Sequence, residues 1–221
     1  MSTIGKLVLG MMGGLRPKPS LGEANTTISL PAVDPHGGMP LFEALAARRS
    51  SREFSPDPLP MPLLSALLWA AYGVNRPDGR RTAPSAINAQ EVDVYVALPG
   101  GAYRFDADAH ALRLVAASDI RRVTGYQDFV DDAALDLVFV ADFTRLGMVP
   151  VSQRESYASV AAGAISQNVY LFAAASGLAT VLRAWIDRGA IADALGLTHD
   201  QHVLLSQTVG YPKPARRPER S

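Results

Sequence analysis

Three guanidinium groups and two hydroxyls fall in five consecutive positions, Arg48-Arg49-Ser50-Ser51-Arg52, with no acidic side chain before Glu53. An array of donors this dense suits a phosphate dianion, because each planar guanidinium can bond two phosphate oxygens at once. A second run, Pro84-Ser85-Ala86-Ile87-Asn88-Ala89-Gln90, combines small side chains, a proline-fixed backbone and two carboxamides. Such a segment can approach a flat ligand closely while Asn88 and Gln90 offer both donors and acceptors.

These runs need elements to hold them. Pro40 suits the first turn of a helix in which Leu41, Ala44, Leu45 and Arg48 share one face, so the arginine run emerges at a helix C-terminus, the end that favours cations. A second helix is predicted over 62–72, with Leu63, Leu64, Leu67, Leu68 and Ala71 as its apolar face and Gly73 as its stop. Val92, Val94, Val96 and Leu98 alternate with less apolar positions, the period of a half-buried strand, and the Pro84 run leads into it. Pro99-Gly100 turns that strand into a meander with 103–105 and 111–115. The run 135–141, apolar but for Asp136 near its start, reads as a buried central strand. The longest helix is expected over 152–176, apolar on more than one side, which suggests a subunit interface as well as a core. A strand over 178–184, a helix over 188–195 and a strand over 203–209 complete the domain.

Composition narrows the function classes. Acidic and basic residues balance at 21 each, so no global field points to nucleic acid or an anionic membrane. The absence of cysteine excludes disulfides, thiol catalysis and cysteine-based zinc sites, and any electron transfer requires a cofactor. The four histidines lack metal-site spacing, and no dinucleotide-binding glycine fingerprint, nucleophile elbow or P-loop is present, so no metal is expected. No apolar stretch reaches the roughly 20 residues that span a bilayer, and a soluble, cytoplasmic protein is expected. Residues 1–38, with many Gly, Pro and Ser, read as a poorly structured arm, in which Lys6 and the apolar residues after it only weakly resemble a secretory signal.

A helix ending in R-x-S-x-R-x-F, followed by a helix and then P-S-x-x-N-x-Q leading into a strand, resembles the nitroreductase family of FMN-dependent oxidoreductases. Gly177-Leu178-Ala179-Thr180 and Val209-Gly210-Tyr211-Pro212-Lys213 extend the likeness over residues 39 to 217, with 218–221 left as a tail. The resemblance implies an α+β fold, a mostly antiparallel sheet flanked by helices, and an intertwined homodimer with FMN at the subunit interface. It implies that Arg48, Arg49, Ser50 and Arg52 bind phosphate, ribityl and the pyrimidine edge, and that the partner subunit supplies Pro84, Ser85, Ala86 and Asn88. Ala184 matches the backbone N–H that faces flavin N5, and Lys213, with Arg216 or Arg217, matches a phosphate contact. A lid is expected between the meander and the central strand, where Tyr126 or Phe129 could stack on substrate. No catalytic side chain is required, since the cofactor supplies the chemistry and NAD(P)H the electrons.

Three departures qualify the substrate. Ala179 and Ala184 stand where glycine is common, and Gln90 is followed by Glu91-Val92 rather than Pro-Trp. The last resembles divergent members grouped with azoline-oxidising enzymes. The small-molecule acceptor is accordingly open among nitro, quinone and heterocyclic compounds, with oxidation of a heterocycle or peptide, or flavin binding without turnover, as alternatives.

Overall fold

A computed structural model of the chain describes residues 1–22 and 24–214. The tail at 218–221 and the candidate contacts Arg216 and Arg217 lie outside the described residues. Five helices are described, α1 (Thr3–Met11), α2 (Leu41–Ala47), α3 (Met61–Tyr72), α4 (Val151–Ala175) and α5 (Arg188–Leu195). The strands are β1 (Lys18–Pro19), β2 (Thr27–Ser29), β3 (Val92–Leu98), β4 (Gly101–Asp106), β5 (Ala111–Ala116), β6 (Ser118–Asp119), β7 (Leu135–Asp142), β8 (Ala179–Arg183) and β9 (Gln201–Gly210).

Seven strands form one antiparallel sheet in the order β2-β5-β4-β3-β7-β9-β8, while β1 and β6 pair separately. The register Val94↔Phe139, Tyr95↔Val138, Val96↔Leu137 alternates side chains between two faces. Val94, Val96, Leu137 and Phe139 join the cluster formed with Leu67 and Leu68 of α3 and with Ile165 and Val169 of α4. Tyr95, Ala97, Val138 and Val140 join a second cluster with Ile120, Val123, Ile191 and Leu195. Both faces of β7 are therefore covered, which explains why its sequence is apolar on both faces instead of alternating, with Asp136 near its start as the buried exception.

Local chemistry fixes several ends. Gly177 follows α4 at φ 68°, a left-handed conformation in which glycine carries no side-chain penalty. Asp187 accepts a hydrogen bond from the Ala190 N–H at 3.0 Å and caps α5. By length and composition α4 could cross a membrane, at a mean hydropathy of 1.2, but it packs against α3, β8 and β9 as a core helix.

The arm departs from expectation. Residues 1–38 carry α1, β1 and β2, and the reason is electrostatic. Lys6 is fully buried, its ammonium bonded to Asp131 and donating to the Gln127 carbonyl at 2.9 Å. Lys18 and Arg122 each reach the other Asp131 oxygen at 3.4 Å, so three cations surround one carboxylate. Leu15, buried in the second cluster, adds an apolar anchor. Gly- and Pro-rich composition did not reveal this because the partners lie more than a hundred residues away.

Burial pushes the Asp131 carboxyl upward, but its bond to Lys6 and the charges of Lys6, Lys18 and Arg122 outweigh that and hold it below the usual carboxylate range. The carboxylate then stabilises the folded state fully above its unfolded pKa of about 3.9, and this contribution is lost as pH falls through the depressed value. Proteolysis of the arm should therefore be unchanged at neutral pH and accelerate only below about pH 4. Lys6→Ala is expected to cost about 2 kcal/mol in chemical denaturation, less than an isolated buried pair because Lys18 and Arg122 remain beside Asp131.

Candidate active site

The arginine run leaves α2 as extended chain and lies along the outer edge of β8. The Ser51 N–H donates to the Thr180 carbonyl at 2.9 Å, supplying a partner that no further strand provides. Tyr170 of α4 completes the attachment, accepting from the Leu182 N–H at 2.9 Å and sharing a 2.8 Å hydrogen bond with Ser50 Oγ. The Arg48 guanidinium lies 5.3 Å from the centre of the same ring. Farther along, the Ser55 N–H donates to the Tyr211 carbonyl at 2.8 Å and the Lys213 N–H to the Glu53 carbonyl at 3.1 Å. These bonds bring the first run and the Gly-Tyr-Pro-Lys segment together although about 160 residues separate them.

Between them opens a groove of about 660 Å³, lined by Arg52, Glu53, Phe54, Asp128, Phe129, Asp132, Lys213 and Pro214. Its volume is in the range of cofactor and small-molecule pockets. Phe54 and Phe129 form an aromatic wall, their ring centres 5.4 Å apart, while Arg52 and Lys213 are exposed cations. Arg49 and Ser51 line a separate hollow of about 330 Å³ with Tyr170, Gly177 and Leu178.

Ala184 follows β8 directly and is exposed, as is Trp185, whose ring lies 5.5 Å from that of Tyr126. Tyr126 is thus packed beside the Ala184 turn, whereas Phe129 lines the groove. The two expected lid aromatics occupy different places.

Beneath this turn is a buried polar network. Arg183 donates to the Thr124 carbonyl at 2.8 Å, to Asp136 Oδ1 at 2.7 Å and to Thr208 Oγ1 at 2.8 Å. Ser206 Oγ also donates to the Thr124 carbonyl, at 2.7 Å. Burial pushes the Asp136 carboxyl up, opposed by the Arg183 charge and the hydroxyl of Thr208. Gly125 leaves room for Arg183, since a Cβ there would come within 1.7 Å of a guanidinium nitrogen and force that side chain to shift.

The second run sits elsewhere. Pro84, Ser85, Ala86 and Asn88 form a loop and tight turn before β3, and Ile87, Asn88 and Gln90 all take positive φ, 51°, 55° and 50°. A β-branched residue in that region is strained. The Gln90 N–H donates to Ser85 Oγ at 2.9 Å, Arg81 Nε to Gln90 Oε1 at 2.8 Å, and Arg145 to the Gln90 carbonyl at 2.8 Å, which together hold the turn. Asn88 and Gln90 line a polar hollow with Arg81, Asp93 and Arg145. Among the described residues, no hydrogen bond or cavity joins this loop to the arginine run within the chain.

Sequence reading missed Tyr170, Arg183 and Asp132, and gave Phe54 no role beyond closing the R-x-S-x-R-x-F motif. Tyr170 belongs to a helix whose spacing marks it only as core, and Arg183 lies in what reads as an ordinary buried strand. The sole signal was a charged residue at the end of an apolar run, repeated at Asp136, which suggests a buried pair.

Comparison with known proteins agrees with this fold. A model of the Nitroreductase family matches residues 45–211. A candidate nitroreductase of Methanocaldococcus jannaschii is 30% identical over 164 residues, 70% of this chain and 81% of that protein. The crystal structure of a candidate nitroreductase from Ralstonia eutropha is 48% identical, superposes with a TM-score of 0.88, and is matched over 91% of this chain and 96% of its own. The NADPH:FMN oxidoreductase of Vibrio harveyi, solved in complex with NAD+, shares the fold at 20% identity and a TM-score of 0.58, over 82% of this chain and 72% of its own.

Two substitutions test the architecture. Gly125→Ala should cost about 1–3 kcal/mol by overpacking, although its extended backbone tolerates a side chain. Tyr170→Phe should cost about 1 kcal/mol, the value of a hydroxyl that serves both Ser50 and the Leu182 N–H. Urea denaturation measures both.

Proposed function

This chain belongs to the nitroreductase family, and from that premise we propose an FMN-dependent oxidoreductase that passes electrons from NAD(P)H to an organic acceptor, a nitro, quinone or heterocyclic compound. The observation that carries the reading is that the Arg48–Arg52 run lies along the edge of β8, with Lys213 bonded beside it through the Glu53 carbonyl and the exposed Ala184 turn ending the same strand. Donor chemistry and space both fit the cofactor. Arg48, Arg49, Ser50 and Arg52 would between them bind the phosphate, the ribityl chain and the pyrimidine edge, Lys213 would contact the phosphate, and the Ala184 N–H would face N5. When bound, FMN supplies the exchange of a hydride at N5. The residues here orient it, place positive charge near its pyrimidine edge and keep water from one face with Phe54 and Phe129. No side-chain nucleophile is needed.

The working unit in this reading is a homodimer. Phe42 of α2 is 84% exposed and Val160 of α4 is 72% exposed, and Leu41, Leu45, Val151 and Tyr157 are exposed beside them in sequence, so both helices carry unpartnered apolar surface. A surface of this kind is costly to leave in water, and a second copy would cover it. The partner's Pro84–Asn88 loop would then complete each site, with the dimethylbenzene edge against its small residues. That division of labour accounts for the separation of the two runs within a single chain.

Purified protein should be yellow, with one released FMN per chain, and should elute at twice the monomer mass. Arg48→Ala or Arg52→Ala should remove most of the flavin, and anaerobic NADH or NADPH should bleach it in the parent protein. A colourless protein that cannot be reconstituted with FMN refutes the proposal. Stable flavin that neither nucleotide bleaches would favour binding without turnover.

A further inference from the structure

Arg183 is the last residue of β8 and directly precedes Ala184, so whatever fixes its side chain also fixes the turn that follows. The guanidinium reaches the Thr124 carbonyl in the 121–131 segment, Asp136 on β7 and Thr208 on β9. It also lies 5.9 Å from the centre of the Phe129 ring, which forms part of the groove wall. Ser206 donates to the same Thr124 carbonyl, and Gly125 leaves room for the guanidinium against the backbone. One side chain therefore links the Ala184 turn, the aromatic wall and two central strands.

Stability alone does not explain the pair. Arg183 Nε and Asp136 Oδ2 are buried with no hydrogen-bonding partner among the described residues. A partly satisfied buried pair is worth little, and an apolar pair of similar volume is often as stable. What apolar side chains cannot reproduce is direction. Two coplanar nitrogens bonded to three different elements determine distance and angle together, which packing alone leaves adjustable.

We propose that the buried Arg183–Asp136 pair is a positioning device that locks the Ala184 turn and the Phe129 wall into one rigid side of the active site. The effect on flavin rests on the cofactor reading above, whereas the lock itself is a property of the protein alone. Arg183 acts through the Ala184 backbone and Phe129, and is a positioning residue.

The test compares the parent chain with Arg183→Met/Asp136→Leu, which removes both charges, and with Arg183→Lys, which keeps the charge but loses the fork. Arg183→Met alone would strand a buried carboxylate and confound unfolding with loosening. Hydrogen exchange without flavin is the first readout. In the folded double variant, residues 121–131 and 184–187 should exchange about tenfold faster while β7 and β9 keep parental protection. Arg183→Lys should fall between the two. FMN titration is the second readout, with the dissociation constant expected to rise about tenfold in the double variant, the scale of one charge-assisted hydrogen bond. The flavin midpoint potential should move as well, which a purely structural pair would not cause. Parental exchange in both segments of the folded double variant overturns the inference. Failure of the parent chain to bind FMN would refute the cofactor reading instead, and the exchange result would still decide the lock.

Discussion

The outer edge of β8 is the constraint on which the rest of the site depends. A terminal strand leaves every second N–H and C=O without a sheet partner, and such groups must be bonded or hydrated. Here they are met by chain instead of another strand: Ser51 supplies the N–H for the Thr180 carbonyl, and Tyr170 receives the Leu182 N–H. Because that chain is the arginine run, satisfying the edge also fixes the backbone that carries three arginines along β8, the strand that ends at the Ala184 turn. Tyr170 contributes twice, through its hydroxyl to Ser50 and through its ring to Arg48. The geometry of the site thus follows from backbone hydrogen bonding.

The opposite side of the sheet carries a second polar system, organised by Asp131 and Asp136. Asp131 gathers Lys6, Lys18 and Arg122, drawing the N-terminal arm onto the 121–131 segment. Asp136 holds Arg183, which reaches the same segment from the sheet. The segment is therefore fastened from above and below, and the close approach of Gly10 to Tyr126 and Asp187 brings α1 to the rim of the Ala184 turn. A stretch of 3-10 turns with little regular hydrogen bonding acquires a defined position from two carboxylates.

Much of the fold was legible because short-range patterns specify it. The alternation in β3, the apolar run of β7 and the turn at Pro99-Gly100 each depend on neighbours a few residues away, and each element lies where those patterns put it. The arm was misread because Lys6 gains its partner only at Asp131, and composition near Lys6 carries no trace of that. Tyr170 and Arg183 were overlooked for the same reason, since a helix face and a strand end do not announce what lies across from them. Phe129 and Tyr126 were read as one lid, yet one packs on Phe54 and the other on Trp185.

Sequence by itself determined the order of the main elements from α2 onward and the family to which the chain belongs, and it pointed to the side chains whose chemistry suits an anion, because helix caps, strand periods and dense cation runs are local and additive. Tertiary structure alone decided which of those side chains meet. It set the arginine run against β8, brought Lys213 to Arg52, separated both from the Pro84–Asn88 loop, and buried the Arg183–Asp136 pair beneath the exposed turn. The physical reason is that a hydrogen bond or ion pair depends on distances of a few ångström, and the order of seven strands in a sheet, which sets those distances, is not encoded in any short stretch of chain.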